Sequence, residues 1–126
     1  MTNSRENRFE CLSEQEQKVA LEFVSRMRQR FDGQLVSAIL FGSRARGEAE
    51  PESDMDVLVV LTTADVEMRK QVRYLAVDIG LECGIYPSTR IWSLAEWRSA
   101  LEIQTQLYRN VQRDGIDLLR LAPAAC

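Results

Sequence analysis

Two apolar runs flank a glycine, an arginine-rich segment and a pair of aspartates in residues 38–60, AILFGSRARGEAEPESDMDVLVV. The first run ends in Gly42-Ser43, and ten residues separate that dipeptide from Asp54-Met55-Asp56. Apolar residues follow the second aspartate directly, so we expect both carboxylates to lie at the start of a strand. Because side chains alternate across a strand, the two carboxylates project from one face. Their oxygens predict a Mg²⁺ site that takes further ligands from water and from substrate phosphates.

Gly42-Ser43 predicts the phosphate site that such a magnesium ion requires. Gly42 ends the first apolar run, and Ser43 is expected to cap a short helix that begins near Arg44. Backbone N–H groups at a helix start bind anions, and a glycine lets a phosphate approach closely. Arg44 and Arg46 would add positive charge there, although nearby positions on a helix point in different directions. The alternative is structural, because Gly-Ser is a common turn and Asp-x-Asp can simply begin a soluble strand.

The run GSRARGEA and its spacing to the aspartates resemble the nucleotidyltransferase superfamily of DNA polymerase beta and kanamycin nucleotidyltransferase, and look most like its minimal nucleotidyltransferases, over residues 13–116. The resemblance implies an α/β (α+β) nucleotidyltransferase fold, a small mixed β-sheet with helices packed mainly on one side. It implies transfer of a nucleoside monophosphate from Mg-NTP, with ATP favoured, to a hydroxyl of a protein, nucleic acid or small molecule. The implied site residues are Asp54 and Asp56 as catalytic ligands of Mg²⁺ or Mn²⁺, and Gly42, Ser43, Arg44 and Arg46 as nucleotide-binding residues.

Enzymes of that superfamily usually carry a third acidic residue on the strand after the long helix. The matching position of this chain falls near Ser88, and residues 85–92, IYPSTRIW, contain no Asp or Glu. A serine hydroxyl supplies a neutral oxygen but neither charge nor useful basicity near neutral pH. Two functions therefore stay open. The first is an active nucleotidyltransferase; the second is a catalytically weak or inactive antitoxin-like module that binds nucleotide and a separately encoded HEPN-type partner.

Local patterns predict one nucleotidyltransferase domain over residues 13–121, between a partly ordered arm at 1–12 and a tail at 122–126. Capping boxes at Ser13 and Ser93 begin two helices, the second of which is expected to run to about Arg113. The other predicted elements are strands at 35–41, 54–61 and 85–92, a helix at 66–81 and an extended segment at 116–121. Pro87 favours a position at the sheet edge for the strand at 85–92.

Two apolar groups near the C-terminus allow different interpretations. Trp97, Leu101 and Tyr108 lie at helical spacing and predict core packing. Leu118, Leu119 and Leu121 could instead form an exposed edge that pairs with another chain. The domain has no separate recognition region, so acceptor choice would require a second chain or a self-associated copy.

The composition excludes several classes of site. The chain has no histidine and its three cysteines have no C-x-x-C spacing, which excludes the usual zinc sites and Ser-His-Asp chemistry. A net charge of -3 disfavours a general nucleic-acid binder, so a small ligand or a protein is the expected partner. The resemblance implies that this small ligand is a nucleoside triphosphate. The polar start of the sequence and its short apolar runs predict a cytoplasmic protein with no membrane partner.

Overall fold

The computed structural model describes residues 9–10 and 12–121 of the 126-residue chain. The predicted tail and most of the predicted arm therefore lie outside the described residues. The elements are α1 (Glu14–Arg30), β1 (Leu35–Phe41), α2 (Ser43–Arg46), β2 (Met55–Leu61), α3 (Val66–Cys83), β3 (Pro87–Ser93), α4 (Leu94–Ile103), α5 (Gln106–Asp114), β4 (Ile116–Asp117) and α6 (Leu118–Leu121).

The four strands form one mixed sheet in the order β3-β2-β1-β4. β1 runs antiparallel to both β2 and β4, whereas β2 and β3 are parallel and α3 makes the crossover between them. Pro87 is the first residue of β3 at the sheet edge, as predicted, where a missing N–H costs no central ladder bond. The predicted α/β class with a small mixed sheet is confirmed.

The sheet buries its two faces unequally. The larger core joins α1 and α3 to one face and includes Phe23, Met27, Val57 and Ile79, all fully buried. The opposite face carries a smaller cluster made by Phe41, Leu58, Val60 and Val111, against which side chains of α4 and α5 pack. This second face is covered only in part, and it is the face on which the alternation of side chains along β2 places Asp56.

Both predicted capping boxes are present. The Ser13 hydroxyl accepts from the Glu16 N–H at 3.0 Å while the Glu16 carboxylate accepts from the Ser13 N–H at 2.8 Å. Ser93 and Glu96 make the same reciprocal pair at the start of α4. Each box satisfies two backbone donors that a helix start leaves without intrahelical partners.

The predicted helix from Ser93 to about Arg113 is wrong as a single element. Gln104 adopts a left-handed conformation with φ 50°, and Thr105 caps a new helix by accepting from the Tyr108 N–H at 3.1 Å. The break turns α5 back over the sheet. Trp97 can then pack on Tyr108 with ring centroids 5.4 Å apart, whereas Leu101 stays exposed.

The predicted extended segment at 116–121 is also corrected. Only Ile116–Asp117 pairs with β1, because the Asp117 carboxylate then accepts from the Leu119 and Arg120 N–H groups and starts a helical turn. Leu118 is fully buried in the larger core, so the predicted exposed edge is wrong at this residue. Burial of its side chain removes it from any pairing surface.

Helix α3 contacts the core through one side only. Val72, Ala76 and Ile79 face the core, whereas Val66 and Leu81, near the two ends of the helix, are exposed. None of the helices within the described ranges is both long enough and apolar enough to span a bilayer.

Candidate functional site

Asp54 and Asp56 lie where β2 begins, at the partly covered face of the sheet. β2 starts at Met55, so Asp54 immediately precedes the strand and Asp56 is its second residue. Asp56 is half-buried between two neighbours in register, Phe41 on β1 and Ser88 on β3. Asp54 is exposed. The exposed carboxylate and the half-buried one therefore present oxygens at one end of the same strand.

The environment of Asp56 disfavours its charged form. Burial raises the pKa of this carboxyl above its ordinary value and the negative charge of Asp54 raises it further, while Arg90 and Arg46 partly oppose both effects. A bound cation would relieve both the desolvation and the like-charge repulsion. The site is thus electrostatically suited to a cation beside the carboxylates, with arginine charge available for an anion next to it.

Gly42 is in close contact with Asp56 and could not be another residue without displacement. Its φ of 81° is a conformation that side chains rarely adopt, and a Cβ atom there would overlap the Asp56 carboxylate oxygen Oδ2. Gly42 is also the N-cap of α2, so Ser43 is the first helical residue and the prediction of Ser43 as the cap is corrected. This geometry places the start of α2 directly against the carboxylate.

Arg44 is buried and holds the acidic loop that precedes β2. Its guanidinium donates to the carbonyl oxygens of Ser53, at 2.7 and 2.9 Å, and Pro51, at 3.1 Å, and it pairs with Glu16 at 3.0 Å. Burial acts to raise the pKa of Glu16, but hydrogen bonds from Ser13 and Arg44 lower it overall. These contacts give Arg44 a loop-positioning role, and its predicted phosphate contact stays a prediction.

Arg46 has different partners from Arg44 and pairs with two acids. Its guanidinium lies 2.7 Å from Asp114 and 3.0 Å from Glu48. Asp114 is almost completely buried at the end of α5 and also binds Arg113 at 2.9 Å. The hydrogen bond from Arg113 lowers the pKa of Asp114, and that from Arg46 lowers it further, against the effect of burial. The local sequence gave no signal for this pairing between residues 68 positions apart.

Ser88 occupies the position predicted for the missing third acid. It lies opposite Asp56 in the parallel register of β2 and β3, so both side chains lie on one face. Arg90 follows two residues later on that face; it is exposed and makes no hydrogen bond or ion pair with the described residues beyond its charge interaction with Asp56. Arg90 lies outside the sequence motif, although the alternation of side chains along β3 puts it on the same face as Ser88.

The carboxylates present fit a magnesium ion that shares its ligands with a substrate. Across residues 9–10 and 12–121, no group of three or more Asp, Glu, Cys or His side chains is gathered as a metal cage. Two hard oxygen ligands at the start of β2 are what magnesium takes when water and phosphate oxygens complete its octahedron. The glutamates of the acidic loop stay outside this pair, since Glu48 binds Arg46 and Glu50 and Glu52 are exposed.

Comparison with known proteins links this geometry to one family. The model of the nucleotidyltransferase domain family matches residues 20–106. A Methanocaldococcus jannaschii protein that is provisionally named a protein adenylyltransferase is 44% identical over 100 residues, which cover 79% of this chain and 94% of that protein. A second protein from the same organism, named in the same way, is 37% identical over 67 residues, covering 51% of this chain and 46% of its own length.

Two solved structures share the fold. One is a crystal structure of a toxin–antitoxin with AMP-PNP, which matches with a TM-score of 0.52 and 23% identity over 78% of this chain and 71% of that chain. The other is a mutant of a toxin–antitoxin pair, with a TM-score of 0.51, 21% identity and the same coverage. At these identities the likeness is one of fold.

Proposed function

This chain belongs to the nucleotidyltransferase domain family, and we propose that it transfers a nucleoside monophosphate from Mg-ATP to a hydroxyl group of a partner protein. The observation that carries the proposal is the contact between Gly42 and Asp56, which joins the start of α2 to the carboxylate end of β2. A phosphate site and a cation site are then adjacent. The name of the relative that is 44% identical supports a protein as acceptor.

Each site residue has a role in this proposal. Asp54 and Asp56 would hold Mg²⁺, which when bound screens the charge between the attacking oxygen and the α-phosphate. Backbone N–H groups after Gly42 would bind phosphate oxygens, with Arg46 and Arg90 adding positive charge. These residues orient the triphosphate, and positioning with electrostatic stabilisation supplies most of the catalysis in phosphoryl-group chemistry.

The transfer step needs no group beyond the two substrates. The acceptor hydroxyl oxygen forms a bond to the α-phosphorus, the bond from that phosphorus to the bridging oxygen of pyrophosphate breaks, and the hydroxyl proton passes to water. Ser88 cannot accept this proton usefully, because a serine hydroxyl is not basic near neutral pH. We therefore expect turnover to be slow and to rise with pH as the acceptor ionises more readily.

A second function is favoured by Ser88 itself. With a neutral residue at the position facing Asp56, the chain could bind Mg-nucleotide without efficient transfer and act as an antitoxin-like module on a separately encoded HEPN-type protein. We also propose that the protein is cytoplasmic, because Mg-ATP is abundant in that compartment.

Calorimetric titration with Mg-ATP tests the shared premise. We expect Asp56→Ala to weaken Mg-ATP binding by about tenfold or more, because one carboxylate alone holds the cation with too little charge. Glu52→Ala is the matched control, since it removes an exposed acid of the neighbouring loop. Equal affinities of the wild type and Asp56→Ala would overturn the metal assignment.

Incubation with labelled ATP and the copurifying partner separates the two functions. Label that appears on the partner, and that requires Asp56, supports the transferase. Stable complex formation and Mg-ATP binding without any transferred label would support the binding module and contradict the transferase.

A further inference from the structure

Asp114 is a buried carboxylate that the chemistry described above does not use. Its side chain is only 3% exposed, yet it lies at the end of a short helix and contacts two arginines, Arg46 at 2.7 Å and Arg113 at 2.9 Å. A buried acid is costly unless it is paired, and these guanidinium groups supply that pairing. The partner that matters for the site is Arg46, which belongs to α2 beside Gly42.

The backbone around Asp114 is fixed by close packing. Gly115 follows it, and a Cβ atom at this glycine would lie 2.9 Å from the Ile39 Cγ2 atom and would overlap the Val111 carbonyl oxygen. Directly afterwards Ile116 pairs with Leu40 in the sheet. The end of α5 is therefore held against β1, and the Asp114 carboxylate has little freedom to move away from α2.

Arg46 lies one helical turn from Gly42, whose carbonyl oxygen accepts from the Arg46 N–H at 3.1 Å. Gly42 is itself in close contact with the Asp56 carboxylate, so α2 brings Arg46 near that group. An arginine this near a half-buried carboxylate has an obvious alternative, which is to pair with it directly. That pairing would neutralise the group that a cation needs and would withdraw the guanidinium from any bound phosphate. In the structure Arg46 instead bonds to Asp114 and Glu48.

We propose that Asp114 is a positioning residue, which holds the Arg46 guanidinium beside Asp56 and prevents the two from pairing. Arg46 then remains available to the phosphates of the nucleotide while Asp56 remains available to the cation. This inference rests on the proposed function, because it assigns Asp114 an effect on Mg-nucleotide binding.

The test compares Mg-ATP affinity and magnesium dependence in a double-mutant cycle. We expect Asp114→Asn to weaken Mg-ATP binding about tenfold and to shift the required magnesium concentration upward, because Arg46 now competes with the cation for Asp56. In an Arg46→Gln background the same Asp114→Asn change should leave affinity and magnesium dependence unaltered. Arg113→Gln is the matched control: it removes the other arginine of Asp114 and should keep both readouts.

Arg46→Lys provides a test that does not depend on the folding of a buried variant. Arg46 is partly exposed, so the protein should fold, but a lysine cannot present the planar fork that bonds Asp114 and Glu48 together. We expect Mg-ATP affinity to fall several-fold. Affinity equal to that of the wild type in Arg46→Lys would overturn the positioning role.

The outcomes distinguish this inference from its premise. If the wild type binds Mg-ATP and Asp56→Ala does not, the proposed site stands; an Asp114→Asn variant that then loses only thermal stability, with unchanged affinity, shows a purely structural ion pair and overturns the inference. An equal loss of affinity in the Arg46→Gln background also overturns it. Failure of the wild type to bind Mg-ATP would overturn the proposed function and this inference together.

Discussion

Asp56 receives opposing influences from four sides. Burial and Asp54 disfavour its charge, and Arg46 and Arg90 favour it. The Asp56 carboxylate is therefore only partly hydrated, and it has no ion-pair partner among the residues that the structure describes. Such a group gains more from an incoming cation than an exposed aspartate would, and functional sites commonly keep their residues in environments that cost stability.

Substitution of Gly42 should affect both the fold and the site. Gly42→Ala introduces a side chain at φ 81° and drives it into Asp56, so we expect a loss of about 1–3 kcal/mol in the free energy of unfolding and a large loss of Mg-ATP affinity. Gly33→Ala is a matched control: its φ is 78°, but nothing lies within 4 Å of its added Cβ. Urea unfolding with and without Mg-ATP measures both effects. A Gly42→Ala variant that binds Mg-ATP normally would refute the contact as a binding determinant.

Ser88→Asp should supply the third acidic residue that this chain lacks on β3. In the presence of magnesium we expect about tenfold tighter metal binding and faster transfer, because a charged ligand joins Asp56 from the neighbouring strand. Without magnesium the added charge repels Asp56, so the free energy of unfolding should fall. Ser88→Asn serves as the control, because asparagine has about the size of the introduced aspartate but not its charge. Robust wild-type turnover that Ser88→Asp abolishes would show that the chain uses another group.

At the level of elements, the sequence predicts whatever is decided locally. The capping boxes at Ser13 and Ser93 and the strands flanking Gly42 follow from neighbours a few residues apart, and the structure has them. The family motif likewise locates Asp54 and Asp56. The helix break was missed because Leu94, Trp97 and Tyr108 keep a plausible helical stripe across it. The only local signal was Thr105, a good N-cap residue.

The remaining features depend on contacts between distant parts of the chain. Arg44 looks like a phosphate ligand in the sequence, but its partner Glu16 is 28 residues away, and Arg46 meets Asp114 across 68 residues. No local rule predicts which of several acids such an arginine will contact. Position on a strand could have identified Arg90, because the register of β3 against β2 is set by the same alternation that placed Ser88.

The α4–α5 junction allows a stability prediction. Gln104 is exposed and left-handed at φ 50°, where glycine carries no Cβ penalty. We therefore expect Gln104→Gly to raise the free energy of unfolding by about 0.5–1 kcal/mol. Glu102→Gly, at an exposed position inside α4, should instead lower it by about 1 kcal/mol. Chemical denaturation of the two variants measures the difference, and destabilisation by Gln104→Gly would contradict the assigned conformation.

Across the whole molecule, the two ends of the domain meet at α2. Glu16 from the first helix binds Arg44, and Asp114 from the last long helix binds Arg46, so the four-residue helix beside the carboxylates is held from both sides. The larger core of the sheet lies on the face away from Asp56. The geometry of the site therefore depends on two ion pairs between elements that are far apart in sequence.

These ion pairs predict how stability depends on pH. The pKa of Asp114 and that of Glu16 are lowered in the folded protein, so the stability they contribute is present above the unfolded pKa of about 4 and is lost as pH falls through the folded values. The pKa of Asp56 is raised in the folded protein, so its effect on stability has the opposite sign. As pH falls, the folded state binds this proton at a higher pH than the unfolded state does, and protonation of Asp56 therefore favours the folded state.

Unfolding by urea between pH 7 and pH 3, without magnesium, should resolve the two contributions. Asp114→Asn is expected to cost about 1–3 kcal/mol at pH 7, because two arginines lose a charged partner, and to lose less further stability on acidification than the wild type. Asp56→Asn should be at least as stable as the wild type at pH 7, since it removes a penalised charge, and should lose stability more steeply towards pH 3. Parallel pH profiles for both variants and the wild type would show that neither carboxyl differs in pKa between the folded and unfolded states, and would contradict the electrostatic account of the site.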